Sequence, residues 1–127
     1  MNVAYLDTHV AVWLHDGLIK KLSSAAKQEI ERKDLSISPM VYVELDYLHQ
    51  RSRIKIKAAE IYANLSGTFG VSLCAFPFPA VAVQSVECGW TNDPFDRLIV
   101  AHAWANQTAP LITADEVIRS HYSKAVW

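Results

Sequence analysis

Four acidic residues stand where the surrounding sequence does not favour them. Asp7 in YLDTHV and Asp115 in LITADEVI each mark the point where an apolar run gives way to a helical pattern. Glu44 in VYVELDYL and Asp96 in DPFDRLIVAHA each break the apolar side of a predicted helix. A carboxylate facing a core is costly unless something pairs with it. Carboxylates that converge from distant parts of a chain repel one another, and a divalent cation relieves that repulsion.

The helix arithmetic sharpens the case for two of them. At 100° per residue, Met40, Val41, Leu45, Tyr47 and Leu48 share one arc with Glu44 in its middle. Ile99, Val100 and Ala103 share the face of Asp96. Each acid also has a purely structural explanation. Glu44 could sit in a half-buried ion pair. Asp93 and Asp96 match a helix start, with Asp93 the better pure cap, and Asp115 fits an N-cap. Asp7 fits a simple cap less well, and Thr8 could share that role. One shared cause explains the four together: a carboxylate cage for Mg2+ or Mn2+, hard ions that prefer oxygen. Such an ion polarises a phosphoryl oxygen and generates hydroxide from water, so no protein nucleophile is needed. In keeping with this, there is no G-x-S-x-G elbow, no C-x-x-C and no phosphate-binding glycine loop.

These residues need elements to place them. Residues 3–6 read as a buried strand closed by Asp7, 8–15 as a helix stopped by Asp16-Gly17, and Ser23 or Ser24 as the cap of a helix to about residue 32. Residues 35–38 form a strand, and Ser38-Pro39 opens a helix to about residue 50. Further helices are expected over 55–65, from Pro77 to about 87, from Asp93-Pro94 to about 106, and after Asp115. Further strands are expected over 71–76, 110–113 and 125–127. Short apolar strands alternating with helices predict an α/β fold, a mainly parallel sheet covered on both faces. Such sheets bind ligands beyond the carboxyl ends of their strands, where Asp7 and Asp115 would lie.

The chain of 127 residues is expected to be a single domain spanning 1–127, 51% hydrophobic and 20% charged. Twelve Lys and Arg against thirteen Asp and Glu leave bulk charge silent about nucleic acid. The local basic concentration is Arg51, Arg53, Lys55 and Lys57. It is either a solvated helix junction or a path for a phosphate backbone. Cys74 and Cys88 lack metal-ligand spacing and read as reduced thiols. The five histidines form no metal-binding cluster, and His102, off the Asp96 face, reads as a surface or interface residue. Trp13, Trp90, Trp104 and Trp127 read as core or interface anchors rather than stacking platforms. The start does not read as a signal peptide, no segment reads as a membrane span, and the cytoplasm is the expected location.

With YLDTHVAVWL, SPMVYVELDYL, NDPFDRLIVAHA and LITADEVI in this order, the chain resembles the PIN-domain nucleases, and among them the VapC-like toxins of toxin–antitoxin pairs. The resemblance implies a PIN-like α/β/α sandwich and a Mg2+- or Mn2+-dependent endoribonuclease that cleaves RNA phosphodiester bonds. It implies Asp7, Glu44 and Asp96 as metal-binding acids, with Asp115 as a variable fourth, and Asp93 and Thr113 in support. It implies a homodimer silenced by a small cognate antitoxin. The apolar stretch 76–90, with its FPFP turn, departs from the family pattern and suits an interface. Two other classes compete: a catalytically silent PIN fold used for binding, and a signalling receiver domain. A receiver wants paired acids after the first strand, and Asp7 has no acidic neighbour.

Overall fold

In the computed structural model, which describes residues 2–127, β1 (Val3–Leu6) lies at the centre of a five-stranded sheet. β2 (Asp34–Ile37) pairs with one side of it and β4 (Leu111–Ile112) with the other. β3 (Ser72–Leu73) extends the sheet beyond β2, and β5 (Ala125–Val126) extends it beyond β4. All four pairings are parallel, so every strand ends at the same edge. The chain builds outward from β1 through β2 to β3, then returns to the other side for β4 and β5. The connections leaving β1 and β4 therefore diverge, which opens a crevice at their carboxyl ends.

Successive strand residues point to opposite faces. Ala4, Tyr5 and Leu6 are all buried, so both faces of β1 are covered. Leu35 and Ile37 on β2 and Leu111 and Ile112 on β4 continue that core. The helices are α1 (Thr8–His15), α2 (Ser24–Arg32), α3 (Pro39–Gln50), α4 (Ala58–Phe69), α5 (Phe78–Gln84), α6 (Pro94–Ala105) and α7 (Glu116–His121). α3 packs against α4 and α6, and α6 packs against α5. Five helices start where a short polar side chain accepts a backbone N–H of the first turn: Asp7, Ser23, Ser38, Asp93 and Asp115. Proline follows Ser38 and Asp93 at the first helical position, where its missing N–H costs nothing.

The α/β architecture is as expected, and several boundaries move. The strand expected over 71–76 shrinks to Ser72–Leu73, because Val71 N–H instead donates to Leu65 O at the end of α4. The helix expected over 55–65 begins at Ala58 and runs on to Phe69, where Gly70 at φ 69° ends it in the left-handed conformation that glycine tolerates. Ile54 and Ile56 pack against the core from the preceding loop, which supplied the apolar signal mistaken for an earlier start. Two 3-10 turns went unforeseen, one at Ile19–Lys21 and one at Ser85–Cys88, where the helix expected to about residue 87 has already ended at Gln84.

Candidate active site

Asp7 ends β1, donates its N–H to Ile112 O at 3.0 Å and occupies the N-cap of α1. The residue is buried, 6% exposed. One oxygen accepts from Thr8 N at 2.8 Å, and the other accepts from the Thr113 hydroxyl at 2.6 Å. Burial pushes its pKa up, and these two hydrogen bonds pull back against that shift. Thr113, fully buried just beyond β4, also accepts from Asp115 N at 3.1 Å. A relay thus runs from the Asp115 backbone through Thr113 to Asp7, across the crevice between β1 and β4.

Thr8 joins the next acid. Its hydroxyl donates to Glu44 Oε1 on α3 in a short hydrogen bond. Glu44 is half-buried, and its pKa is raised first by burial, then by the charges of Asp7 and Asp93. Asp96, in the first turn of α6, is pushed from 3.8 up to about 7, by burial first and then by Asp93, Asp7, Asp115 and Glu44. Every charge acting on Asp96 is another carboxylate. Arg97, its neighbour in sequence, turns away to donate to Ser85 O at 3.1 Å. The exposed imidazole of His9 lies close enough that its charge, when it carries one, draws Asp7 and Glu44 down.

The donors are carboxylate and hydroxyl oxygens, the class that hard divalent ions take. Among the described residues, no three Asp, Glu, His or Cys side chains stand as a set able to hold a metal ion. The carboxylates are near enough to hold back one another's ionisation without closing on a bare ion. Mg2+ and Mn2+ keep waters of their own, so these oxygens would supply only part of the ion's shell.

A family model for the PIN domain matches residues 4–124, nearly the whole chain. The chain belongs to the PIN domain family. No curated protein sequence matches it. In fold it is similar to a chain of a toxin–antitoxin complex from Klebsiella pneumoniae, with a TM-score of 0.66, 19% identity and coverage of 98% of this chain and 96% of that one. It is likewise similar in fold to a chain of VapBC2 from Rickettsia felis bound to a promoter DNA fragment, with a TM-score of 0.64, 18% identity and coverage of 97% and 95%. A chain of DNA-bound VapBC from Salmonella typhimurium aligns with a TM-score of 0.61 at 15% identity, covering 98% and 96%.

In this PIN domain, Asp7, Glu44, Asp96 and Asp115 act on one another electrostatically although up to 108 residues separate Asp7 from Asp115. Asp93 caps α6 as expected, accepting from Phe95 N at 2.8 Å and Asp96 N at 3.2 Å, while its charge also reaches Glu44 and Asp96. Asp115 is exposed and caps α7 through Ile118 N at 2.9 Å. Three expectations are corrected. Asp7 does occupy the cap, and Thr8 serves Glu44 instead of sharing that role. His102 is no surface residue: it is 1% exposed, with Nδ1 2.9 Å from Ser38 Oγ and Nε2 buried without a partner. Tyr47, placed on the apolar arc by periodicity, is 44% exposed. Arg51, Arg53, Lys55 and Lys57 are all exposed between α3 and α4; Arg51 lies 5.2 Å from the Tyr47 ring centroid. The role of Thr8 had one sequence signal, a hydroxyl placed directly after the strand-end acid.

Proposed function

We propose that this PIN domain is a Mg2+- or Mn2+-dependent endoribonuclease that hydrolyses RNA phosphodiester bonds and acts as the toxin of a toxin–antitoxin pair. The observation that carries it is the convergence of carboxylate fields on Asp96 with no neutralising Lys or Arg among them. Half-buried carboxylates that repel one another with no counter-charge are the arrangement a divalent ion relieves. A bound divalent ion would polarise the scissile phosphoryl group and lower the pKa of an attacking water. Asp7, Glu44 and Asp96 would hold it, with Asp115 as a peripheral fourth acid. Thr113 and Thr8 fix the rotamers of Asp7 and Glu44, so that little ordering remains to be done when the ion arrives. Asp93 adds negative potential at the rim. Arg51, Arg53, Lys55 and Lys57 offer the RNA backbone a positive approach.

A small antitoxin partner is supported by the similarity in fold to chains of toxin–antitoxin complexes. A homodimer is supported by the apolar surface of the 76–90 stretch, where Phe78, Val83 and Val86 are exposed. No helix of the described residues is long and apolar enough to cross a membrane, and we place the protein in the cytoplasm.

The test is RNA cleavage together with thermal melts. Wild type should cleave RNA with Mn2+ and stop in EDTA, and Asp7→Asn, Glu44→Gln and Asp96→Asn should each abolish cleavage while remaining folded. Mn2+ should raise the melting temperature of wild type and leave that of Asp96→Asn nearly unchanged. Melts insensitive to metal, with all three variants simply less stable, would make the acids structural.

A further inference from the structure

Beside the C-terminal half of α1 lies a groove of about 470 Å3, walled by Trp13, Lys21, Arg53, Ile54, Lys55 and Asp16, among others. Trp13 is half-buried in its wall, with Lys21 Nζ 5.3 Å from the ring centroid. Its ring also neighbours those of His9 at 6.2 Å and Trp127 at 5.9 Å. His9 sits one helical turn before Trp13 on α1, two residues after Asp7. At 1.5 Å of rise per residue, roughly 9 Å of helix separates the Asp7 and Trp13 positions. The rings of His9 and Trp13 thus lead from the start of α1 into the groove.

The charge of the groove selects its occupant. Lys21, Arg53 and Lys55 face the single carboxylate of Asp16, an excess that suits an anionic ligand. An aromatic wall beside cations is the pairing that single-stranded nucleic acid uses, with bases stacked on rings and phosphates on Lys and Arg. Arg51 belongs elsewhere, over Tyr47.

We propose that this groove is a subsite for single-stranded RNA, in which Trp13 stacks one base near the scissile bond and Lys21, Arg53 and Lys55 hold its flanking phosphates. The subsite rests on the ribonuclease function proposed above, and it assigns Trp13 and Lys21 a part in holding the substrate. Lys21 occupies the ring face in the free protein, and an incoming base takes its place while the ammonium moves to phosphate.

The test is a titration of the full chain with a fluorescein-labelled single-stranded oligoribonucleotide in EDTA, so that binding is read without cleavage. Trp13→Ala should weaken binding by about fivefold or more, the loss of one stacked base. Arg53→Ala with Lys55→Ala should weaken it too and flatten the salt dependence by about 1.4 in the log–log slope, the share of two phosphates on a single strand. This pair is exposed, so it remains readable if Trp13→Ala fails to fold, which circular dichroism reports. Wild-type affinity and slope in the pair variant would overturn the subsite. So would loss of antitoxin capture with RNA binding unchanged, which would make the groove a protein dock. A wild type that binds RNA through this groove yet cleaves none with Mn2+ would sink the nuclease function and leave the subsite standing.

Discussion

Asp96 bears a pKa of about 7 against its ordinary 3.8 because burial and its acidic neighbours oppose its charge. The sign follows by linkage. Between those two values the unfolded chain has released a proton that the fold still holds, so metal-free stability falls as pH rises from about 4 to about 7. Asp96→Asn should remove that slope and melt higher than wild type in EDTA at neutral pH; equal pH slopes would refute it. His102 acts in the opposite sense. Burial lowers its pKa below 6.5, so the unfolded chain takes up a proton that the fold refuses, and stability is lost as pH falls below 6.5. The groups facing it are the Ser38 hydroxyl and the Tyr5 ring, neither of which carries charge near neutrality. Ser38 Oγ accepts from Met40 N and lies 2.9 Å from His102 Nδ1, while Nε2 is buried without a partner that could stabilise a second ring proton. His102→Gln should lessen the loss of stability in acid, measured as the variant-minus-wild-type melting difference at each pH. That difference isolates His102 from the opposing slope of Asp96.

At the scale of elements, two chain connections do most of the positioning. The end of β4 delivers Thr113 to Asp7, and losing a hydroxyl donor to a buried carboxylate costs about 1.5–3 kcal/mol. Thr113→Val should lower stability by that amount in urea titrations and cut RNA cleavage by about 10–100-fold. A variant with full activity would remove Thr113 from the site. The start of α3 is the second such connection, because Ser38 both caps the helix and holds His102. The caps were the legible part of these elements. Ser38-Pro39 and Asp93-Pro94 mark true helix starts because a short polar side chain before proline has few other backbone options. Strand lengths were poorly legible, since Ser72–Leu73 stops where its single neighbour stops pairing, a property of β2 as much as of its own residues.

At the scale of the whole molecule, an apolar surface stays uncovered: Val83 is 75% exposed and Val86 71%. Monomers rarely leave such residues clustered without use. Val83→Asp with Val86→Asp should turn a dimer into a monomer in light scattering without lowering its melting temperature, because neither side chain supports the core. Wild type that runs as a monomer would overturn the dimer.

Sequence alone determined which acids stand against the local pattern, the order of the strands and helices, and where most helices begin. Those properties are written in types and spacings within a few residues of one another. The tertiary structure decided who meets whom. Periodicity turned Glu44 and Asp96 inward, but only the placing of β4 beside β1 brings Thr113 to Asp7 across 106 residues. Nor could the pattern bury His102, because a helix face becomes interior only when a neighbour covers it, and that neighbour is the start of α3. The same limit hid the Trp13 groove, whose two walls are separated by about a third of the chain's length.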